Sequence, residues 1–406
     1  MFDYFEKLKE KTEKYSDRYA SNPCKAALRL SWWNFVSIFR MLQEKSGGGG
    51  GDSSRDKKLQ IAFALGGGIG DVVMSALYVD RFVKKLDCCL GITLFVKQSV
   101  SSVRSLLEAM PFAQDICSFN KLIVHKFDLV ILLDVQYPVV QYANMEKIVS
   151  LSPFLASYVE RLKKFRNRWG NVASKGNETF RQQYKCLIDG TTRITAMDIG
   201  GVLGIRHDDT LELKVPSGGE DALEKFGLSG RPFVLIQRGV DAKHSSGESI
   251  RLWSVKNYEE LIRRFKERWP EIFLVQVGVS RERCRTLSGI DLDLVGKTSF
   301  AELMELAKEA SLHIDSECGI VHLRHFLSRK PSLVLFGPTS PKNKGYSENI
   351  NIRSNVCPCE LCEWIIGGWQ SVCVRNNTAV ADCMEAITPE LVMSRIEAEA
   401  LRIFGA

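Results

Sequence analysis

Residues 312–341 read LHIDSECGIVHLRHFLSRKPSLVLFGPTSP, and their pattern gives the strongest indication of the fold class. Leu312–Ile314 and Ser332–Phe336 are short apolar runs of strand length, and the segment between them opens with a Gly-x-x-His pattern suited to a helix start. A strand, a helix and a second strand in this order predict a right-handed βαβ unit in a parallel sheet. The carboxylates after the first strand lie where they can hold hydroxyl groups of a ligand, beside the open N–H groups of the helix.

The same alternation of strands and helices extends in both directions along the chain. Helices are expected at Val255–Arg268 and Phe300–Ala310, and residues 142–200 are expected to be mostly helical. Further strands are predicted at Phe233–Gln237, Ile272–Val277, Leu59–Leu65, Gly91–Val96 and Phe127–Leu133. We therefore expect an α/β protein with five parts: a helical extension (1–45), a Gly-rich linker (46–58), an N-terminal Rossmann-like domain (59–215), a C-terminal Rossmann-like domain (216–390) and a last helix (391–406) that packs back across both domains.

A glycine cluster near the start of the first domain leads directly from a strand into a helix. Residues 61–75 read IAFALGGGIGDVVMS. A dinucleotide-binding turn would need glycine at position 71, where this chain has Asp71, and the Lys-Ser/Thr ending of a phosphate-binding P-loop is missing. The carboxylate of Asp71 is stabilised by the helix dipole. It is either an N-terminal cap or, at the mouth of a cleft, a base that takes a proton from a hydroxyl group.

Composition narrows the class of protein. The 406 residues carry a formal net charge of +7, and the basic residues are spread along the chain, which argues against a nucleic-acid binder. No window of about 20 apolar residues predicts a transmembrane helix, and twelve cysteines without a secretory signal indicate reduced thiols. We expect a cytoplasmic protein. Residues 27–42 form an amphipathic pattern that fits either the inner face of a membrane or a protein surface.

Taken together, these motifs resemble those of the heptosyltransferase family of GT-B glycosyltransferases (family 9). The cysteines Cys359, Cys362, Cys373 and Cys383 further along the chain resemble the cysteine motif of its autotransporter heptosyltransferase branch. The resemblance implies two Rossmann-like domains facing a cleft. It assigns Asp71 as the catalytic base, with Gly70 beside the donor. It also assigns Gly319 and His322 to the donor diphosphate. Counting without a gap, Glu317 takes the family's acidic position as the ligand of the ribose, with Asp315 as the second candidate.

A basic segment between the two glycine motifs resembles the phosphate-binding loop of the same family. In that loop a Lys or Arg stands two residues before a Trp, and Arg251 holds this place here, before Trp253. A fixed cation at this point offsets the charge that develops on a departing nucleoside diphosphate. Arg238 and Lys243 are further candidates for donor binding.

Five of the twelve cysteines lie between residues 357 and 383. A Cys-x-x-Cys pair followed by two more cysteines is typical of a tetrathiolate metal site, although a set of small buried side chains is the alternative. We expect Cys359, Cys362, Cys373 and Cys383 to be the ligands, with Cys357 as the spare. Four thiolates accept zinc or iron equally well, and such a closed site is structural.

The resemblance implies an inverting enzyme that uses no catalytic metal and takes heptose from ADP-heptose. The acceptor is either a glycan, such as the lipopolysaccharide core, or a Ser/Thr hydroxyl of a protein. Whether the chain forms a homo-oligomer is left open. The rival hypothesis is a non-catalytic, metal-bearing scaffold that binds nucleotide sugars, and a nucleotide-sugar epimerase is a third. The six histidines of the chain argue against the epimerase, which needs more acid–base groups in its cleft.

Overall fold

The computed structural model describes residues 58–405 with several gaps. The gaps cover residues 87–89, 97–103, 109, 111, 113–114, 134–136, 169–190, 212, 239–248, 280–283, 355–361 and 364–371. The predicted helical extension, nearly all of the Gly-rich linker and the amphipathic residues 27–42 lie outside the described residues. Among the residues that are described, no helix is long and apolar enough to cross a membrane.

The first sheet has five strands in the order β3-β2-β1-β4-β5. All neighbouring strands are parallel except β4 and β5, which are antiparallel. The elements of this half are β1 (Leu59–Leu65), α1 (Ile69–Lys85), β2 (Leu90–Val96), α2 (Arg104–Glu108), β3 (Asp115–Ser118), β4 (Leu129–Leu133), β5 (Pro138–Ala143), α3 (Met145–Leu151) and α4 (Pro153–Arg168).

The central strand of this sheet is buried along almost its whole length, which explains its continuous apolar sequence. Phe63 on β1 packs edge-on against Tyr78 and Phe82 of α1, and α1 is thereby held on one face of the sheet. The expectation of mostly helical structure from residue 142 onward is wrong at its start, because Pro138–Ala143 forms an antiparallel edge strand. Proline fits an edge strand because it has no N–H to donate.

The second sheet has six parallel strands in the order β11-β10-β9-β6-β7-β8. Its elements are α5 (Ala222–Lys225), β6 (Phe233–Gln237), α6 (Val255–Arg268), β7 (Phe273–Val277), β8 (Leu292–Asp293), α7 (Phe300–Glu309), β9 (Leu312–Ser316), α8 (Gly319–Leu327), β10 (Ser332–Phe336), α9 (Pro341–Lys344), β11 (Ile350–Arg353), α10 (Asp382–Glu385), α11 (Pro389–Ala398) and α12 (Ala400–Phe404). The predicted positions of β6, β10 and α6 agree with these bounds.

The C-terminal segment forms two helices, whereas a single last helix was expected over residues 391–406. Glu399 separates α11 from α12. Val392, Ile396 and Ile403 are buried in the same core as the strands β6, β9 and β10 of the second sheet. The helices therefore complete the second half of the molecule, and the expected packing across both halves stays a prediction.

Candidate active site

The N-termini of two helices, α1 of the first half and α8 of the second half, meet at a pair of glycines. A Cβ atom placed on Gly70 of α1 would lie 2.5 Å from Cδ2 of His322 and 3.3 Å from Cα of Gly319 on α8. A Cβ atom on Gly319 would lie 3.2 Å from the backbone nitrogen of Gly70. A Cβ atom at position 70 would clash with the His322 ring, and one at position 319 would require its neighbours to shift by a few tenths of an ångström. The close approach brings the motifs predicted in the two halves of the chain together at one site.

The predicted base, Asp71, lies in the first turn of α1 and is held on both sides of its carboxylate. Its Oδ2 accepts a hydrogen bond from the backbone N–H of Gly68 at 2.7 Å. Its Oδ1 forms an ion pair with Nη2 of Arg193. The side chain keeps 15% of its surface exposed, so the carboxylate is both fixed and within reach of the cleft. The capping interpretation of Asp71 is therefore correct, and it does not exclude the catalytic one.

Arg193 is a site residue that the sequence analysis missed. Its backbone N–H donates to the carbonyl of Asn343 at 2.8 Å, and the Asn343 side chain donates back to the carbonyl of Thr191 at 2.8 Å. These bonds fix the loop that carries Arg193 to α9. Burial lowers the pKa of the guanidinium, while the carboxylates of Glu317 and Glu363 oppose that shift. No local pattern marks this arginine, because its partners lie far away in the sequence.

Glu317 is the centre of the charged groups on the donor side. Its carboxylate is 3.5 Å from Nη1 of Arg251, 3.8 Å from Nζ of Lys344 and 3.3 Å from Nε2 of His322. Burial alone would raise the pKa of Glu317, but Lys344, His322 and Arg251 together hold it well below its ordinary value. The carboxylate is therefore ionised at neutral pH and can accept hydrogen bonds from hydroxyl groups.

His322 is buried beside Glu317, and both of its ring nitrogens have protein partners. Nδ1 is 2.7 Å from the hydroxyl of Tyr346, and Nε2 faces Glu317. Burial is the largest cause that lowers the pKa of His322, so the imidazole is neutral at neutral pH. In this arrangement His322 orients Glu317. Its predicted contact with a phosphate stays a prediction.

Asp315, the second candidate for the ribose, faces the core. It is 0% exposed, and it accepts hydrogen bonds from the backbone N–H of Ser316 at 2.6 Å and from Sγ of Cys318 at 2.8 Å. Burial raises the pKa of Asp315 well above its ordinary value. A neutral carboxyl group in the core is less suited to bind ribose than the ionised Glu317, so the geometry favours the first choice.

The predicted cations of the donor loop have different surroundings. Arg251 is 21% exposed, and its backbone N–H donates to Oγ of Ser249 at 3.3 Å. Arg238 donates from Nε to the carbonyl of Trp253 at 3.2 Å. Lys243 lies outside the described residues. Of the two described arginines, only Arg251 has its guanidinium paired with a carboxylate of the site.

A buried ion pair beside Glu317 is the second feature that the sequence analysis missed. Lys344 at the end of α9 pairs with Oε1 of Glu363, and the two side chains are 6% and 2% exposed. Lys344 therefore lies between two carboxylates, those of Glu363 and Glu317. Its position soon after the Phe-Gly-Pro-Thr motif was visible in the sequence, but its burial was not.

The predicted cysteine ligands are only partly described. Cys362, Cys373 and Cys383 are buried, at 6%, 4% and 7% exposure, whereas Cys359 lies outside the described residues. The part of the chain that is described contains no four-cysteine site. Within it, one group of three side chains could offer metal-ligand atoms that lie within 4.8 Å of one another, and it consists of His313, Asp315 and Cys318. Buried thiols suit a tetrathiolate site, but the set of four stays a prediction.

Comparison with solved structures identifies the architecture. ADP-heptose lipopolysaccharide heptosyltransferase II of E. coli is similar over 85% of this chain and 99% of its own, with 17% identity and a TM-score of 0.51. The iron-containing dodecameric glycosyltransferase TibC of enterotoxigenic E. coli H10407 is similar over 85% of this chain and 76% of its own, with 15% identity and a TM-score of 0.57. A family 9 glycosyl transferase of Veillonella parvula DSM 2008 gives 14% identity and a TM-score of 0.52 over 85% and 97% of the two chains. The fold is that of the GT-B glycosyltransferases, as predicted.

One segment of the sequence matches a family model. Residues 203–363 match the model of glycosyltransferase family 9 (heptosyltransferase). The chain thus carries a family 9 domain and is a glycosyltransferase, which confirms the resemblance drawn from its motifs. A search among curated proteins finds no match. The matched range includes Arg251, Glu317, His322, Lys344 and Glu363, so most of the charged groups described above belong to the family domain.

Proposed function

We propose that this chain transfers a heptose from ADP-heptose to a hydroxyl group of the acceptor, with inversion at the anomeric carbon. The observation that carries the proposal is the contact of α1 with α8 at Gly70 and Gly319. This contact brings a carboxylate of the first half, Asp71, to the same site as the donor-side groups of the second half. A base and a leaving-group site on opposite sides of a cleft are what a single displacement requires.

Asp71 acts as the base in this proposal. The acceptor hydroxyl oxygen attacks the anomeric carbon of the donor, its proton passes to the Asp71 carboxylate, and the bond between that carbon and the diphosphate oxygen breaks with its electron pair on the diphosphate. The ion pair with Arg193 holds the Asp71 carboxylate in place at this site.

The leaving diphosphate is stabilised on the second half of the molecule. Arg251 offers a partly exposed guanidinium, and the open N–H groups at the start of α8, beginning with Gly319, favour an anion. Glu317, oriented by His322, accepts hydrogen bonds from the ribose. Arg238, Lys243 and Gly70 are kept as secondary candidates for donor contacts.

The sugar and the nucleotide are proposed from the relatives. TibC has been crystallised in complex with ADP-D-β-D-heptose, and the E. coli relative is an ADP-heptose-dependent heptosyltransferase. The name of the E. coli heptosyltransferase suggests a lipopolysaccharide glycan as the acceptor, and a protein Ser or Thr stays the alternative. We further propose a structural zinc or iron ion held by Cys359, Cys362, Cys373 and Cys383, a cytoplasmic location at or near the inner face of the membrane, and assembly into a homo-oligomer.

The test is the variant Asp71→Asn, which keeps the shape of the side chain and removes its ability to take a proton. Donor turnover with ADP-heptose, followed by mass spectrometry, is expected to fall by about 10²- to 10⁴-fold, as for other lost general bases. The affinity for ADP, measured by calorimetry, is expected to stay within about twofold of the parent because Asp71 does not contact the nucleotide in this proposal.

Asp115→Asn is the matched control, since Asp115 is an exposed aspartate at the start of β3. It should leave both turnover and ADP binding unchanged. Parental turnover by Asp71→Asn would remove Asp71 from the mechanism. Tight binding of UDP or GDP in place of ADP would keep the mechanism and refute the heptose donor. A parental protein that binds nucleotide sugars without turnover would favour the scaffold hypothesis.

A further inference from the structure

Glu363 is a buried carboxylate anchored on the donor-side loop. It directly follows Cys362, and only 2% of its surface is exposed. Its backbone N–H donates to the carbonyl of Pro338 at 3.1 Å, in the loop after β10. Ionised side chains are rarely buried to this degree unless each of their polar atoms has a partner.

One oxygen of this carboxylate lacks such a partner. Oε1 is paired with Nζ of Lys344, whereas Oε2 is buried and accepts no hydrogen bond from any group in the described structure. Lys344 cannot serve both oxygens well, because it is also 3.8 Å from the carboxylate of Glu317. A buried acceptor that stays unsatisfied is costly, so the position suits a group that arrives with a ligand.

The surroundings of Glu363 indicate what kind of group this is. A carboxylate accepts hydrogen bonds and repels phosphate, so among the groups of a nucleotide sugar its partner is a hydroxyl rather than the diphosphate. The charge of Glu363 acts on Arg193, and Arg193 in turn contacts the proposed base Asp71. Glu317 acts on Arg193 in the same way, and Glu363 shares Lys344 with Glu317. Glu363 therefore belongs to the group of charges that joins the donor side to the base, where the transferred sugar must be placed between the base and the leaving diphosphate.

We propose that Oε2 of Glu363 binds a hydroxyl group of the donor's transferred sugar, and that Glu363 thus contributes to the choice of sugar. This inference rests on the proposed function, because it takes a nucleotide sugar as the occupant of the cleft. In this proposal Glu317 binds the ribose and Glu363 binds the transferred sugar, and Lys344 pairs with both carboxylates. Because Cys362 directly precedes Glu363, this contact links the cysteine segment to the bound sugar.

The experiment compares ADP with ADP-heptose in calorimetric titrations of the full chain. The variant Glu363→Gln keeps the size of the side chain and removes the charge. We expect it to bind ADP-heptose about tenfold more weakly than the parent, since hydrogen bonds to charged groups are the stronger ones. We expect its affinity for ADP, which has no transferred sugar, to stay within about twofold.

Two further variants keep the result interpretable. Glu363→Asp retains the charge but withdraws it by one methylene, and it should also weaken ADP-heptose binding without affecting ADP. Glu385→Gln, at an exposed glutamate of α10, should change neither affinity. Thermal unfolding of each variant establishes that the protein titrated is folded.

The outcomes separate this inference from the proposed function. Equal weakening of ADP and ADP-heptose by Glu363→Gln would mean that Glu363 acts only by positioning Lys344, and it would overturn the inference. Unchanged affinity for both ligands, in a chain whose parent binds ADP-heptose more tightly than ADP, would overturn it as well while leaving the function intact. A parent that binds no nucleotide sugar would overturn both.

Discussion

Replacing Lys344 by methionine removes a cation that pairs with both Glu317 and Glu363. Methionine has nearly the same length and fits the same space, so packing changes little and charge changes most. Lys344 is 6% exposed, and the two carboxylates are 4% and 2% exposed, so water cannot replace the lost ammonium group. Removing one partner of a buried ion pair costs about 3–5 kcal/mol, because an unpaired charge stays in the interior.

The expected loss of stability depends on pH, and its sign follows from the pKa of Glu317. In the parent that pKa is held well below the ordinary value, so the stabilising contribution of the carboxylate persists at neutral pH and is lost only as the pH falls through the folded-state value. Burial is already the largest single cause acting on the pKa of Glu317, and Lys344 is the largest of the causes that oppose it. In Lys344→Met we expect burial to outweigh the remaining effects of His322 and Arg251 and to raise the pKa above the unfolded value. The folded variant then takes up protons on acidification and recovers stability.

Thermal unfolding at about pH 8 and about pH 5 tests this reasoning. The melting temperature at the higher pH is expected to drop by about 6–10 °C, at about 2 °C for each kcal/mol in a domain of this size, and the difference from the parent should shrink at the lower pH. Lys308→Met is the control, since Lys308 is 39% exposed and pairs with glutamates on the surface of α7. It should cost less than about 1 kcal/mol. A drop of the same size at both pH values would refute the electrostatic explanation.

Two other substitutions test the contacts that hold the site together. Gly70→Ala places a Cβ 2.5 Å from the His322 ring, and such overpacking should cost about 1–3 kcal/mol and weaken ADP binding in calorimetry; parental stability and affinity would contradict the close contact. Asp198→Ala leaves the backbone N–H groups of Leu203 and Ile205 without their carboxylate acceptor, now at 2.8 and 2.9 Å. It should cost about 2–4 kcal/mol in chemical denaturation, and a loss below about 1 kcal/mol would show that water replaces the carboxylate.

The parts of the fold that were predictable are those with a strong local signal. Parallel strands covered on both faces are continuous apolar runs, and β6 and β10 were predicted with their observed bounds for this reason. The edge strands β5 and β11 were missed, since their sequences, PVVQYA and INIR, alternate or mix polar residues and resemble loops. The break at Glu399 was missed because its residue type does not interrupt a helix by itself.

The residues of the candidate site fall into the same two groups, those with a local sequence signal and those without one. Asp71 and Glu317 could be found because each stands next to glycines at the end of a strand, where the chain's local pattern fixes its place. Arg193, Lys344 and Glu363 could not, since their roles depend on partners more than a hundred residues away, or on burial that no periodicity reports. The sequence analysis therefore identified the groups expected to contact substrates and missed the charges that hold them.

The glycine contact between α1 and α8 also limits how relatives of this chain can diverge. A methyl group at position 70 and an imidazole at position 322 would occupy the same space, although 252 positions separate them in the sequence. The two positions should therefore vary together across an alignment of homologues. Chains that carry alanine or a larger residue at position 70 are expected to lack histidine at 322, and to need another residue that orients the carboxylate at position 317.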